Sequence, residues 1–293
     1  MTASDATSPP PPDGFEHRLV DNGAVHLHAV VGGDGPPVLL ICGWPQTWYA
    51  WRLVMPGLAA AGHRVVAVDT RGVGGSDKPA RGYDTGSLAQ DMVALMAALG
   101  HERFAVAGHD VGLWIGYALA ADHPDRVERL AVAEAVLPGV SPSPPMLGPI
   151  AANARLWHFA FNRLDDLNEQ LVRDREHVYF GYQFASKAVV PLAAEAVDHY
   201  LAVLRAPDAL RCSFAFYRAL DETMAQNERR AQRRLAAPVM AIGGELWLGE
   251  RVAETMRLVS ADVSAVSIPG CGHYPAEEAP EAVGGALVGF LAA

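Results

Sequence analysis

A chain of 293 residues, 51% of them apolar, can bury a large core with a subdomain attached, which excludes global disorder. Its formal net charge is -10, with 23 Lys and Arg scattered among 33 acids, which excludes a nucleic-acid partner because that needs clustered cations. Three distant cysteines, Cys42, Cys212 and Cys271, form neither a disulfide framework nor a metal-ligand spacing, so no metal is expected.

Residues 1–14, rich in Pro, Ser and Asp, read as a flexible leader without the basic and apolar stretches of a signal segment. No run approaches the ~20 apolar residues of a membrane span, so a cytoplasmic protein without a membrane partner is expected. Segments 16–20 and 24–31 alternate in polarity around Asp21-Asn22-Gly23, a hairpin signal. Continuous apolar runs at 38–42, 65–68, 104–107 and 130–133 predict parallel strands buried on both faces. Segments of helical period at 47–61, 87–99 and 111–122 separate them, the rhythm of right-handed βαβ crossovers.

That rhythm stops after Leu137. Residues 138–149 form a Pro-rich bridge, and 150–235 read as helix throughout. Within them, the basic run Arg229-Arg230-Ala-Gln-Arg233-Arg234 reads as a solvated helix face. Strand and helix then alternate again: strand 238–242, helix 248–259, strand 263–268 and a closing helix 277–291. The chain is therefore α/β in class, with a core of 15–137 and 236–293 interrupted by a helical cap at 138–235.

Gly108-His109-Asp110-Val111-Gly112 joins a strand to a helix. A turn that sharp needs glycine on both sides, because side chains there collide with the neighbouring strand and helix. The apex residue is strained, exposed at the sheet's C-terminal edge and set against a helix N-terminus, which stabilises a carboxylate. An aspartate in this place also commonly N-caps a helix. As a nucleophile, however, Asp110 would attack a saturated carbon and form an alkyl ester, which water must then hydrolyse.

That second step needs a base. His273, in Pro269-Gly270-Cys271-Gly272-His273 beyond the last strand, can reach the turn and has a suitable unperturbed pKa. Two acids are candidates to orient it: Glu134 at the end of strand 130–133, and Glu245 in Gly243-Gly244-Glu245. Chain order Asp…Glu…His holds for either, and Glu134 is preferred. Two look-alikes fail. Asp77 occupies the third glycine position of a dinucleotide loop, and Ser76 lies outside any Gly-x-Ser-x-Gly turn.

These residues resemble the α/β-hydrolase epoxide hydrolases and their dehalogenase cousins. Cys42-Gly43-Trp44-Pro45, Asp69-Thr70-Arg71-Gly72, Gly108–Gly112 and Gly270-Cys271-Gly272-His273 carry the likeness. Gln46-Thr47-Trp48-Tyr49-Ala50-Trp51, with 156–161 and 213–220, resembles the cystic-fibrosis-regulator inhibitory factor type of bacterial epoxide hydrolase. The resemblance implies an α/β-hydrolase fold: a mostly parallel eight-stranded sheet with helices on both faces and a helical lid. It implies opening of a small hydrophobic epoxide by water to a vicinal diol, with no cofactor, and leaves a homodimer open.

By the same likeness, His158 and Tyr217 donate hydrogen bonds to the epoxide oxygen, and the backbone N–H groups of Trp44 and Val111 form the oxyanion hole. Trp44, Trp114 and Trp157 then contact substrate. Glu134 matches the acid of this type, whereas Glu245 lies where other epoxide hydrolases keep theirs. Trp44–Pro45 is a candidate cis peptide. Family members usually have His where this chain has Cys42, a departure that alters the loop's support while leaving the backbone donor in place.

Two other functions compete. Carbon–halogen hydrolysis would use the same Asp ester, but haloacid enzymes place arginines just after the nucleophile, where Val111 and Trp114 stand. Haloalkane enzymes place Trp directly after it, where Val111 stands. A low-turnover, small-molecule-binding protein of hydrolase fold is the alternative of another class, and retention of Asp110, His273 and an acid argues against it.

Overall fold

The computed structural model describes residues 8–143 and 147–293. Residues 1–7 of the expected leader and 144–146 of the Pro-rich bridge lie outside the described residues. Eight strands form one sheet: β1 (Phe15–Asp21), β2 (His26–Gly32), β3 (Pro37–Ile41), β4 (Arg64–Val68), β5 (Phe104–His109), β6 (Val127–Ala133), β7 (Val239–Gly244) and β8 (Val263–Ile268). Their order is β1-β2-β4-β3-β5-β6-β7-β8. β2 runs antiparallel to both of its neighbours and every other pair is parallel, as expected for a mostly parallel sheet.

The apolar runs are continuous because both faces are covered. Leu39 and Ile41 of β3 and Val106 of β5 face one core, packed by α2 (Thr85–Ala98) and α3 (Val111–Asp122). Leu40, Ala105 and Ala107 face the other, with α1 (Met55–Ala60) and a C-terminal helix, Pro280–Ala292. The chain moves outward from β3 in opposite directions, to β4 and to β5. The C-terminal ends of β3 and β5 therefore border a topological switch point, where open α/β sheets bind ligands.

Between β6 and β7 the described residues form six helices and no strand. They are α4 (Ile150–Asn162), α5 (Leu167–Val172), α6 (Glu176–Lys187), α7 (Ala194–Leu204), α8 (Ala209–Arg218) and α9 (Leu220–Arg230). Beyond β7 come α10 (Arg251–Arg257), α11 (Pro275–Glu278) and α12, the Pro280–Ala292 helix.

Several boundaries differ from the sequence reading, and prolines account for two of them. Segment 47–61 is not one helix but a 3₁₀ turn, Trp48–Trp51, followed by α1 with Pro56 in its first turn. The closing helix 277–291 is split in the same way at Pro280. The hairpin turn extends to Val25, because the Asn22 side chain accepts the N–H groups of both Ala24 and Val25. Residues 8–14, expected in the flexible leader, are held against the sheet: Ser8 accepts from Trp48 Nε1 at 3.1 Å, and the Pro9 carbonyl meets His17 at 3.1 Å.

Candidate active site

The turn after β5 is as tight as its glycines demand. A Cβ on Gly108 would lie 2.1 Å from the Gly112 carbonyl oxygen, and one on Gly112 would lie 2.4 Å from that of Ile41. Asp110 sits between them at φ 53°, a conformation that costs a non-glycine residue on the order of 1–3 kcal/mol. Its side chain makes no capping bond to α3, so the helix-cap role is absent. Instead Oδ1 accepts the Trp44 backbone N–H at 3.0 Å, across from the end of β3. Trp44 stands on the loop after β3, and the bond that follows it, Trp44–Pro45, is cis. Val111 opens α3, so its N–H is among the free donors of that helix's first turn.

His273 comes to the same place from the loop after β8. Its Nε2 lies 3.5 Å from Asp110 Oδ2, and its Nδ1 lies 3.5 Å from Glu134 Oε2. Glu134 also has a positive φ, 56°, which turns its side chain off the end of β6, and its other oxygen accepts the Gly244 N–H at 2.5 Å. Glu245 is exposed and accepts the Gly270 N–H at 2.8 Å, away from the imidazole. Of the two candidate acids, the structure therefore brings Glu134 to His273.

Burial raises the pKa of Asp110, but the bond to His273 and the nearby imidazole and ammonium charges outweigh it. The carboxyl is held well below the usual range. Burial lowers His273, yet Asp110 and Glu134 together push it above the ordinary histidine value. Burial keeps Glu134 above the ordinary carboxylate value in spite of His273. Two carboxylates thus share one buried imidazole.

The insert supplies the opposite wall. His158, on α4, stacks on the Trp44 ring (centroids 5.5 Å apart, planes 8° apart), and Tyr217, on α8, meets the same ring edge-on at 5.2 Å. Burial keeps the His158 imidazole well below its ordinary pKa, and burial followed by the Asp110 charge keeps the Tyr217 phenol well above its own. Both are therefore neutral at physiological pH, the phenol carrying its proton. Trp44 Nε1 donates to Ser213 Oγ at 2.7 Å, which ties the loop after β3 to α8.

Two of the tryptophans expected at the substrate make no ring contact or hydrogen bond with Asp110, His158 or Tyr217. Trp157 is 38% exposed and packs on Phe161, Tyr179 and Tyr182, because one helical residue of offset from His158 turns it outward. Trp114 is buried, its Nε1 donating to the Val136 carbonyl at 2.9 Å, with only Phe159 between it and the Tyr217 ring. Cys42 is buried too, its Sγ 3.5 Å from the Gln46 carbonyl, and burial raises its thiol pKa, so it supports the loop as a weak donor rather than as a nucleophile.

Two residues not singled out in the sequence belong to the site. His109 Nε2 donates to the His273 carbonyl at 2.6 Å, fixing the loop that carries His273; burial lowers its pKa to about 3. Lys187 lies buried against His158, and its backbone carbonyl accepts the His273 N–H at 3.1 Å. The signal for it was its place on α6. Tyr179, Phe180, Gln183 and Phe184 form the buried stripe of that helix, and Lys187 is the next position along it. Among the described residues no group of three or more His, Cys, Asp or Glu is arranged to hold a metal, and no helix is long and apolar enough to cross a membrane.

The sequence matches the α/β-hydrolase-fold family over residues 36–280. It is 30% identical to the soluble epoxide hydrolase of Corynebacterium sp. (strain C12), over 94% of this chain and 96% of that one. It is 32% identical to the fluoroacetate dehalogenase of Burkholderia sp., over 95% and 94%. Among solved structures, Cfl2 from Burkholderia cenocepacia matches with a TM-score of 0.91 at 39% identity, covering 95% of this chain and 97% of that one. The likeness to epoxide hydrolases read from the motifs is thus also seen across the whole chain.

Proposed function

This chain belongs to the α/β-hydrolase family and is a hydrolase, and we propose that it opens epoxides to vicinal diols through an ester on Asp110. The observation that carries this reading is the Asp110 carboxylate itself, anionic, at positive φ, uninvolved in capping, and bracketed by the Trp44 N–H and His273. A depressed pKa keeps it deprotonated for attack on a ring carbon from the side opposite the breaking C–O bond.

As the C–O bond breaks, the electron pair moves to the epoxide oxygen, where His158 and Tyr217 are the hydrogen-bond donors. Ester formation then removes one of the two negative charges that hold the His273 pKa up. The imidazole becomes a neutral base at the moment a water has to be deprotonated, and Glu134 stabilises the imidazolium that results. The water attacks the Asp110 carbonyl carbon. The oxyanion is held by the N–H groups of Trp44 and Val111, each such donor contributing about 2.7–4 kcal/mol. Collapse breaks the ester C–O bond, the imidazolium gives its proton to the departing oxygen, and the second water proton, left on the Asp110 carboxyl, passes to the oxygen freed in ring opening, so diol and carboxylate result. The insert acts as a lid that excludes bulk water and shapes the substrate pocket.

A second reading is favoured by the dehalogenase relative, since halide displacement by Asp110 would proceed through the same ester. Against it, Val111 offers no side-chain donor and the Trp114 N–H is committed to Val136. The test is to incubate the His273→Ala variant with styrene oxide and related epoxides, and with haloacids, and to weigh the intact protein. The epoxide reading predicts a stable adduct, equal in mass to the epoxide, on the Asp110 peptide. Adducts from haloacids and none from epoxides would replace it with the second reading.

A further inference from the structure

The imidazole of His273 is aimed by its backbone. Its two ring nitrogens stand 3.5 Å from Asp110 and from Glu134, at the long limit of a hydrogen bond, so the loop decides where the ring points. Each backbone N–H from Gly272 to Tyr274 has an acceptor, and all of these acceptors lie outside the loop. The His273 N–H goes to the Lys187 carbonyl at the end of α6. The Gly272 and Tyr274 N–H groups go to the two carboxylate oxygens of Glu278 on α11, at 2.9 and 2.8 Å.

The same carboxylate also holds the insert. Glu278 Oε2 accepts the N–H groups of Val189 and Val190 at 2.8 and 3.0 Å, in the segment that follows α6. An ionised carboxylate only accepts and has room for about four donors, and here four backbone N–H groups fill it. The two segments also touch each other. A Cβ on Gly272 would lie 2.6 Å from the Lys187 carbonyl oxygen and 2.8 Å from the Val189 nitrogen. The Tyr274 hydroxyl donates to the Gln183 carbonyl of α6 at 3.3 Å.

We propose that Glu278 is a positioning residue that ties the aim of His273 to the seating of the insert on the core. The inference rests on the epoxide reading above, in which His273 acts only in the second step. If segment 188–190 lifts, Glu278 loses two of its four donors and the Lys187 carbonyl leaves the His273 N–H. The imidazole then loses its place beside the Asp110 ester, and hydrolysis stops. Asp110 itself is aimed by Gly108, Gly112 and the Trp44 N–H, none of which bonds to Glu278, so ester formation is independent of this clamp.

The adjacent Glu277 shows what a purely structural glutamate does at this place. It accepts from Gln46, Arg52 and Tyr200, joining the loop after β3 to α7, and bonds to neither neighbour of His273. Glu278 instead divides its bonds evenly, two to the residues on either side of His273 and two to the insert. A tether needed for stability alone could hold either segment; this one makes the position of each depend on the other.

Two variants test the clamp from opposite sides. Glu278→Gln keeps the side chain's size but sets an NH₂ group against N–H donors. Gly272→Ala leaves the carboxylate in place and wedges the insert off the loop, at a position without positive φ, so its backbone accepts alanine. With enzyme in excess of styrene oxide, acid quench and intact-protein mass follow the rise and decay of the ester. Both variants should slow its decay by about 10–10²-fold and leave its formation within about twofold. Amide hydrogen exchange of each free variant should quicken at 188–190 and at 272–274 together. An unchanged decay rate, equal slowing of both steps, or slow decay with exchange at 188–190 unaltered overturns the proposal while leaving the ester mechanism standing. If styrene oxide leaves no ester even on His273→Ala, the epoxide reading fails first and this proposal fails with it.

Discussion

At the end of β5 the chain is held by backbone. Gly108 and Gly112 leave no room for a Cβ, and a Cβ on Gly43 would meet that of Asp110 at 2.6 Å, so backbone sterics and the Trp44 N–H aim the carboxylate. Across the same space, α4, α6 and α8 present His158, Lys187 and Tyr217 from ordinary helical backbone, and aromatic stacking on Trp44 sets their aim. The first region tolerates almost no substitution but needs no partner to be formed. The second is assembled from side chains on three helices, any of which can change while the helices remain. In the proposed mechanism the chemistry that must be fixed, attack and ester hydrolysis, sits on the rigid side, and the chemistry that depends on the substrate, stabilising the leaving oxygen, sits on the adaptable side.

Substitutions on each side should separate these roles. The largest effect is expected from Glu134→Gln, which keeps the shape but leaves His273 without its stabilising charge. Diol formation should fall by about 10³–10⁴-fold at the ester-hydrolysis step, measured by single-turnover kinetics, with ester accumulating. Glu245→Gln, exposed and bonded only to the loop backbone, should leave that rate unchanged. Comparable losses in the two variants would break the assignment of Glu134. A smaller effect is expected from Tyr217→Phe on the other wall. Ring opening should slow by about 10–10²-fold with hydrolysis of the ester untouched, and an equal slowing of both steps would remove the distinction between the two walls.

The two regions also differed in how readily they could be read from sequence. Gly108, Gly112, Asp110 and His273 follow from local steric and strand-end arguments, since each is fixed by neighbours close in the chain or by the end of an apolar run. Glu134 over Glu245 needed the strand ends in space: β6 lies beside β5, while Glu245 turns away on the β7 loop toward Gly270. His158 and Tyr217 came from family likeness, because nothing local separates a reactive aromatic from a packed one. Trp157, expected at the substrate, is one position from His158 on α4, enough to turn a side chain about 100° and leave it 38% exposed. Lys187 was visible as one of two lysines in an arginine-rich chain, yet its significance appears only once the buried stripe of α6 is known to face Trp44.

The central claim is that Asp110, not water, attacks the epoxide. The most direct test is a single turnover in ¹⁸O-labelled water with enzyme in excess of epoxide, followed by mass analysis of both diol and Asp110 peptide. Attack by Asp110 predicts ¹⁸O in the Asp110 carboxylate and none in the diol formed in that first turnover. Label in the diol with an unlabelled Asp110 would mean direct attack by water and would contradict the account.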